Sequence, residues 1–360
     1  MLGAAPPIPD RDLQAVLERT RPVWESLRNT RVFVTGGTGF FGSWLLESFC
    51  YANRALRLGT QATVLTRNPA KFRTKSPHLA GDPAILLLHG DVRDFAFPDG
   101  EFTHVIHAAT EASAKLTAEA PLQMLSTIVD GTERVLQFAA KCGVKRFLLT
   151  SSGAVYGKQP AEIEHLPESY TGSPDPLDPS SVYGEGKRVS EQMCAAYAKT
   201  CGIECAIARC WAFCGPHLPL DAHFAIGNFI RDTMAGGPVQ IQGDGTPTRS
   251  YLYAADLAVW LWTLLINAPS MRAYNVGSDE SVSIRELAQI VVDTLRPGTE
   301  IRVHKSPAPE AAISRYVPCI TRSRQELGLE VSVGLREAIR RTAEWHGFPV
   351  APGPANPAPS

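Results

Sequence analysis

Long apolar runs are missing from this 360-residue chain: no stretch reaches about 18 apolar residues, which excludes a membrane-spanning helix. The first residues also lack the basic-then-apolar order of a secretory signal, so a cytoplasmic location is expected. Charge of one sign is equally scarce. The formal net charge is −1, from 35 Lys plus Arg against 36 Asp plus Glu, and no basic run stands out. Neither nucleic acid nor a membrane surface is therefore indicated as a partner. Cysteine in metal-binding order is absent too. The eight cysteines (Cys50, Cys142, Cys194, Cys201, Cys205, Cys210, Cys214, Cys319) form no C-x-x-C, and Cys205 and Cys210 fall in an apolar strand pattern. Reduced, mostly buried thiols and no metal are expected.

What is present starts at Val32-Phe33-Val34-Thr35-Gly36-Gly37-Thr38-Gly39-Phe40-Phe41-Gly42. A β-branched run breaks into glycines and then into a helical pattern, which reads as strand, phosphate turn, helix. Gly36 and Gly37 are expected to leave the strand at positive φ. Gly39 removes a side chain where a pyrophosphate must approach, and Gly42 lets the helix pack close to the sheet. The helix, read over about 40–52, offers free N–H groups at Phe40 and Phe41 and the positive end of its dipole. A dinucleotide is the ligand this turn suits.

Strands are read at 31–35, 62–66, 84–89, 103–108, 145–151 and 203–209, with helices at about 40–52, 120–141 and 179–201. Short, nearly all-apolar strands suit a parallel sheet covered on both faces. The fold class is α/β: a Rossmann-type doubly wound parallel sheet with a smaller C-terminal α/β substrate-binding domain. The expected boundaries are a helical extension over 1–30, a dinucleotide-binding domain over 31–213 with part of 245–275, and a substrate domain over 214–245 and 276–348. A Pro- and Ala-rich disordered tail is expected over 349–360. The 253–266 helix, with Trp260 and Trp262, reads as core. Whether the extension packs on its own domain or on a second subunit is left open.

The end of the second strand bears on the cofactor. Val64-Leu65-Thr66-Arg67-Asn68 has no carboxylate to accept from a ribose diol, and Arg67 can hold a 2′-phosphate. NAD or NADP is expected, with Arg67 favouring NADP. Asp91, beside Val92, can accept from the adenine amino group, and Ala108 and Ala109 would let the backbone lie against the cofactor.

Chemistry is carried by two pieces. Ser152 leaves the fifth strand at its carboxyl edge, and Tyr183-Gly184-Glu185-Gly186-Lys187 opens a helix that places Tyr183 and Lys187 on one face. An alcohol oxidised by hydride loss must also lose its hydroxyl proton, and a phenol of pKa about 10 is a poor base near neutrality without a cation to stabilise its anion. Lys187 is read as that cation and as a ribose ligand, and Ser152 as the donor to the substrate oxygen. A scaffold that only bound the dinucleotide would have no need of the phenol.

With these residues in place, the chain resembles the extended short-chain dehydrogenase/reductases of the nucleotide-sugar epimerase/dehydratase family. Thr35 to Gly42, Asp91 to Asp94, Ser151 to Gly157 and Tyr183 to Lys187 match, as do Gly243-Asp244-Gly245, Thr248 to Tyr251, Tyr253 to Asp256 and Tyr274 to Gly277. The likeness covers roughly 31–346. It implies a nucleoside-diphosphate sugar substrate and a homodimer formed through a helical bundle that includes the Tyr183 helix. It also implies that Arg249 binds pyrophosphate, with Asn228 and, on position alone, Arg315 as further phosphate candidates. Four positions depart from the family. Gly153 and Ala154 stand where the 4,6-dehydratases carry an Asp-Glu pair and where the decarboxylases carry a Glu two positions after the catalytic hydroxyl residue. Ile128 and Ala212 replace asparagines. With no second acid, elimination is disfavoured, and hydride transfer at C4 of a nucleoside-diphosphate hexose remains. The expected reaction is 4-epimerisation, with an NADPH-dependent 4-keto-6-deoxyhexose reductase as the alternative and dehydratase or decarboxylase activity ranked below both.

Overall fold

A computed structural model describes residues 4–109, 114–222, 224–306 and 313–350. Its centre is a seven-stranded parallel sheet of β1 (Arg31–Thr35), β2 (Gln61–Thr66), β3 (Ile85–His89), β4 (His104–His107), β5 (Arg146–Ser152), β6 (Glu204–Cys210) and β7 (Ala273–Val276). The spatial order is β7-β6-β5-β4-β1-β2-β3, with all neighbouring pairs parallel. The chain reverses its direction of growth between β1 and β4, which opens a crevice at the carboxyl ends where ligands bind in such sheets. Six strands were legible as apolar runs. The seventh, Ala273-Tyr274-Asn275-Val276, is short and carries a polar residue.

The phosphate helix spans Phe40–Leu56, beyond the expected end at 52, and stops where Arg57 turns left-handed at φ +51°. The Tyr183 helix is Val182–Cys201. Trp260 and Trp262 are fully buried in the Ala254–Asn267 helix, as core, with Trp262 donating to Ser48 at 3.0 Å.

The extension packs on its own chain. Helix Asp10–Trp24 buries Leu13, Val16, Val23 and Trp24, and Trp24 lies 4.7 Å from Trp262 between ring centres. Its buried Asp12 accepts from Tyr253 at 2.8 Å and pairs with Arg341 at 2.5 Å, and Arg19 pairs with Asp256. Past β6, small sheets form: Val239–Ile241 beside Ile301–Val303, and Thr248–Arg249 between Val282–Ser283 and Arg315–Tyr316. All eight cysteines are free thiols, five of them buried. No helix among the described residues is long and apolar enough to cross a membrane. Residues 351–360 of the expected tail lie outside the described residues.

Candidate active site

The glycines of the phosphate turn are required for different reasons. Gly36 sits at φ +71°, and a Cβ there would lie 2.2 Å from the Ala108 carbonyl oxygen. Gly37 is not in the left-handed region, contrary to expectation. It is glycine because a Cβ would meet Val64 Cγ1 of β2 at 2.5 Å. Gly42 brings the helix onto the turn, where a Cβ would fall 2.3 Å from the Gly37 backbone. Gly39, at the helix N-cap, is exposed, and its missing Cβ faces nothing nearer than the Gly36 oxygen at 3.5 Å. The open space is therefore at the one glycine where phosphate must approach. Phe40 and Phe41 start the helix, and Phe41 rests edge-on against Phe213 at 5.0 Å.

Around this turn, Thr35 Oγ1 receives the backbone N–H groups of Ala108 and Ala109, both at 3.2 Å, and meets His107 Nδ1 at 2.8 Å. His107 continues through Thr132 at 3.1 Å to Ser190 at 2.9 Å on the Tyr183 helix. Burial, reinforced by the Lys187 charge, holds His107 neutral with its pKa down at about 3. The two alanines and the catalytic helix are thus tied through neutral hydrogen bonds. Arg67 is exposed at the end of β2 with no ion pair among the described residues. Asp91 is held by Arg93 through Nε at 2.8 Å and Nη2 at 3.1 Å, which keeps its carboxyl below the usual range. Val92 is buried against Gly131.

Ser152, Tyr183 and Lys187 come together at the carboxyl edge. Ser152 is buried, accepts from Ala154 N at 3.1 Å, and lies beside the Tyr183 hydroxyl. Lys187 is buried, donates to the Thr150 carbonyl at 2.8 Å, and holds Nζ 6.0 Å from the Tyr183 ring centre. Burial sets both titrations: it pushes the phenol up to about 12, against the lowering effect of Ser152, and draws the ammonium down to about 8. Desolvation thus opposes the phenolate that Lys187 is expected to stabilise, and Lys187 donates to a backbone oxygen of β5. Beneath the trio, Arg209 grips Glu191 through two bonds of 3.0 and 2.7 Å, and Ser151 donates to the same carboxylate at 2.5 Å, fixing helix to sheet. Ile128, in place of the family asparagine, packs on Gly186 between the two helices.

Two aromatic residues that sequence reasoning missed complete the site. Tyr316 pairs in register with Arg249, and its hydroxyl lies beside Ser152. A Cβ on Gly153 would lie 2.7 Å from that hydroxyl and 2.8 Å from Trp211, whose ring centre is 4.3 Å from that of Tyr316. The absence of a side chain at 153 is therefore matched by a phenol brought in from a distant strand. Asn275 organises the same wall: its Oδ1 accepts from Tyr156 at 3.0 Å and Trp211 at 3.1 Å, and its Nδ2 donates to the Leu166 and Cys319 carbonyls. The sequence motif around Asn275 was a signal, but its partners become visible only in three dimensions.

Arg249 has no carboxylate partner among the described residues. It donates to the Thr248 and Ser314 carbonyls at 2.8 and 3.1 Å and lies beside Tyr316, and burial lowers its pKa. A fork anchored this way is suited to an anion. Arg315 does not join it: strand alternation turns Arg315 away from its neighbour Tyr316, and it donates to Ala161 O at 2.6 Å. Asn228 accepts from Arg231 on its own helix at 3.2 Å.

A doubly wound sheet, a glycine turn open at Gly39 and a Ser-Tyr-Lys group at the carboxyl edge define an extended short-chain dehydrogenase/reductase, an enzyme that works with a nicotinamide dinucleotide. The family model described as "NAD dependent epimerase/dehydratase family" matches residues 32–277, and the chain belongs to that family. It is 32% identical over 313 residues to UDP-glucuronic acid decarboxylase 6 of Arabidopsis thaliana, covering 86% of this chain and 87% of that protein. Among solved structures, the UDP-glucose 4-epimerase of Thermus thermophilus in complex with NAD superposes with a TM-score of 0.71 at 26% identity, covering 88% of this chain and 99% of that one. The epimerase Mth375 of Methanothermobacter thermautotrophicus has the same fold, at a TM-score of 0.74 and 22% identity over 92% of this chain and 96% of that one.

Proposed function

We propose that this enzyme transfers a hydride at C4 of a nucleoside-diphosphate hexose and acts as a 4-epimerase. The observation that carries the reading is the Ser152-Tyr183-Lys187 assembly with Gly153 and Ala154 beside it, two positions that supply no carboxylic acid for a second proton transfer. Ser152 orients the C4 oxygen; Tyr183, once it has released its own proton to solvent, takes the C4 hydroxyl proton; and Lys187 fixes the edge of β5 and supplies the positive charge that favours the phenolate. When bound on the Gly36 to Gly42 turn, the dinucleotide supplies the hydride acceptor. Arg249 is the candidate for the substrate pyrophosphate. Exposed Leu122 and Val189, on the Pro121–Lys141 and Val182–Cys201 helices, support a homodimer through those faces.

The decarboxylase identity of the curated relatives favours a second reading. Oxidation at C4 of a hexuronic acid makes its C6 carboxylate β to a ketone, and that carboxylate is then lost as carbon dioxide. The Arg67 environment keeps NADP in view as cofactor and, with it, the 4-keto reductase.

Purified protein should be assayed with UDP-glucose and with UDP-glucuronic acid, and its co-eluting nucleotide identified. Interconversion of the 4-epimers with stoichiometric retained NAD supports the proposal. Carbon dioxide release with formation of a UDP-pentose establishes the second reading instead, and an empty site that prefers NADPH points to the reductase. Tyr183→Phe should abolish turnover in each case while leaving dinucleotide binding intact.

A further inference from the structure

The short helix Pro69–Lys75 ends against the phosphate turn. Lys75 Nζ donates to the carbonyl of Thr38, the residue between Gly37 and the open Gly39, at 3.1 Å. The side chain is half-buried, and burial draws its pKa down. Among the described residues Lys75 has no ion pair within 4.0 Å, and the same holds for Arg67, Lys71 and Arg73, its neighbours along the chain. Elsewhere most arginines of this protein meet a carboxylate. An ammonium held partly out of water without an anion is costly, and the cost is recovered when an anion arrives. The anion-binding turn lies one residue away.

Lys75 is also held from behind. Its backbone carbonyl accepts from Ala5 N at 2.8 Å. Three residues further on, Ile8 is buried and donates its N–H to Glu47 Oε2 of the phosphate helix at 2.6 Å. Glu47 in turn meets His78 at 3.1 Å and His217 at 3.0 Å. Between these anchors, the Pro6 and Pro7 carbonyls accept from Trp345 Nε1, both at 3.2 Å. Residues 4–9 thus form a strap, stiffened by prolines, that joins the rim of the dinucleotide site to the C-terminal helix.

We propose that Lys75 binds a phosphate of the nicotinamide dinucleotide and that the N-terminal strap holds it in place, making residues 4–9 part of the cofactor clamp. The proposal rests on the reading that the dinucleotide lies on the Gly36 to Gly42 turn. Two phosphates share the required chemistry: the pyrophosphate of either cofactor, and the 2′-phosphate of NADP beside Arg67.

The test is equilibrium binding of NADH and NADPH, followed by nucleotide fluorescence at two salt concentrations, for the wild-type chain and for Lys75→Met, Lys75→Arg and Ala5→Pro. Loss of one charge-assisted bond should weaken binding about tenfold in Lys75→Met and reduce its salt dependence. Lys75→Arg should retain most of the affinity. Ala5→Pro, which removes the donor that secures Lys75, should weaken binding in the same direction by a smaller factor. An equal loss for both nucleotides assigns the pyrophosphate, and a loss confined to NADPH assigns the 2′-phosphate. Unchanged affinity for both in a Lys75→Met protein of unchanged melting temperature overturns the proposal, as does Lys75→Arg binding no better than Lys75→Met. A wild-type chain that binds neither nucleotide would overturn the cofactor reading itself, a result distinct from an effect missing only in the variants.

Discussion

Lys187→Met should make the cofactor-free protein more stable while destroying its activity. Lys187 is 3% exposed, and burial moves its ammonium from the ordinary 10.5 to about 8. At neutral pH, below both values, that difference costs the folded state about 3 kcal/mol, at 1.36 kcal/mol per pH unit. Methionine keeps the unbranched stem and removes the charge. It also removes the bond to the Thr150 carbonyl, worth about 1 kcal/mol, and a further interaction of the ammonium of similar size, so a net gain of about 1 kcal/mol is expected at pH 7. The pH dependence identifies the cause. Between pH 8 and 10.5 the unfolded lysine binds more protons than the folded one, so wild-type stability rises with pH across that window and the advantage of the variant fades. Urea unfolding followed by tryptophan fluorescence at pH 7 and pH 10 measures both ends. A variant less stable than wild type by the same amount at both values would refute the desolvation argument and make Lys187 a structural donor to β5.

Three further outcomes follow from the same geometry. Gly36→Ala places a Cβ 2.2 Å from the Ala108 oxygen at φ +71°, so a loss of roughly 1–3 kcal/mol in urea unfolding and abolished dinucleotide binding are expected. Retained binding would show that the turn can shift away from β4. Asn275→Ala leaves Tyr156, Trp211 and two carbonyls without their buried partner, and should cost about 3 kcal/mol by chemical denaturation with near-ultraviolet dichroism changed around Trp211. Tyr316→Phe removes a hydroxyl beside Ser152, so kcat/KM should fall about tenfold with dinucleotide affinity unchanged, and an unaltered kcat/KM would place Tyr316 outside the reacting group.

The glycine turn, the strands and the Ser152, Tyr183 and Lys187 positions were legible because each is a local pattern: a run of side chains, a spacing of four on a helix, a glycine at a required bend. The parts that were not legible depend on contacts between distant segments. Tyr316 reaches Ser152 only because Arg315–Tyr316 pairs beside Thr248–Arg249, and nothing around Tyr316 in the chain announces that pairing. Gly37 was read as a turn glycine, whereas its constraint is a valine on the neighbouring strand. The charge of Lys187 was foreseen, but its burial was not, and burial decides which protonation states the folded protein favours.

The N-terminal helix has a consequence for how the chain is made. Asp12 is made before both of its hydrogen-bond partners, Tyr253 and Arg341, which lie 241 and 329 residues further along. A buried carboxylate that lacks its close cation is strongly destabilising, so the Asp10–Trp24 helix settles fully in its native place only after Arg341 has been made. The sheet from β1 to β6 can assemble as it emerges, largely from consecutive elements. Closure, with the Pro6 and Pro7 carbonyls meeting Trp345, joins residues up to 339 positions apart and is expected to follow the assembly of the sheet.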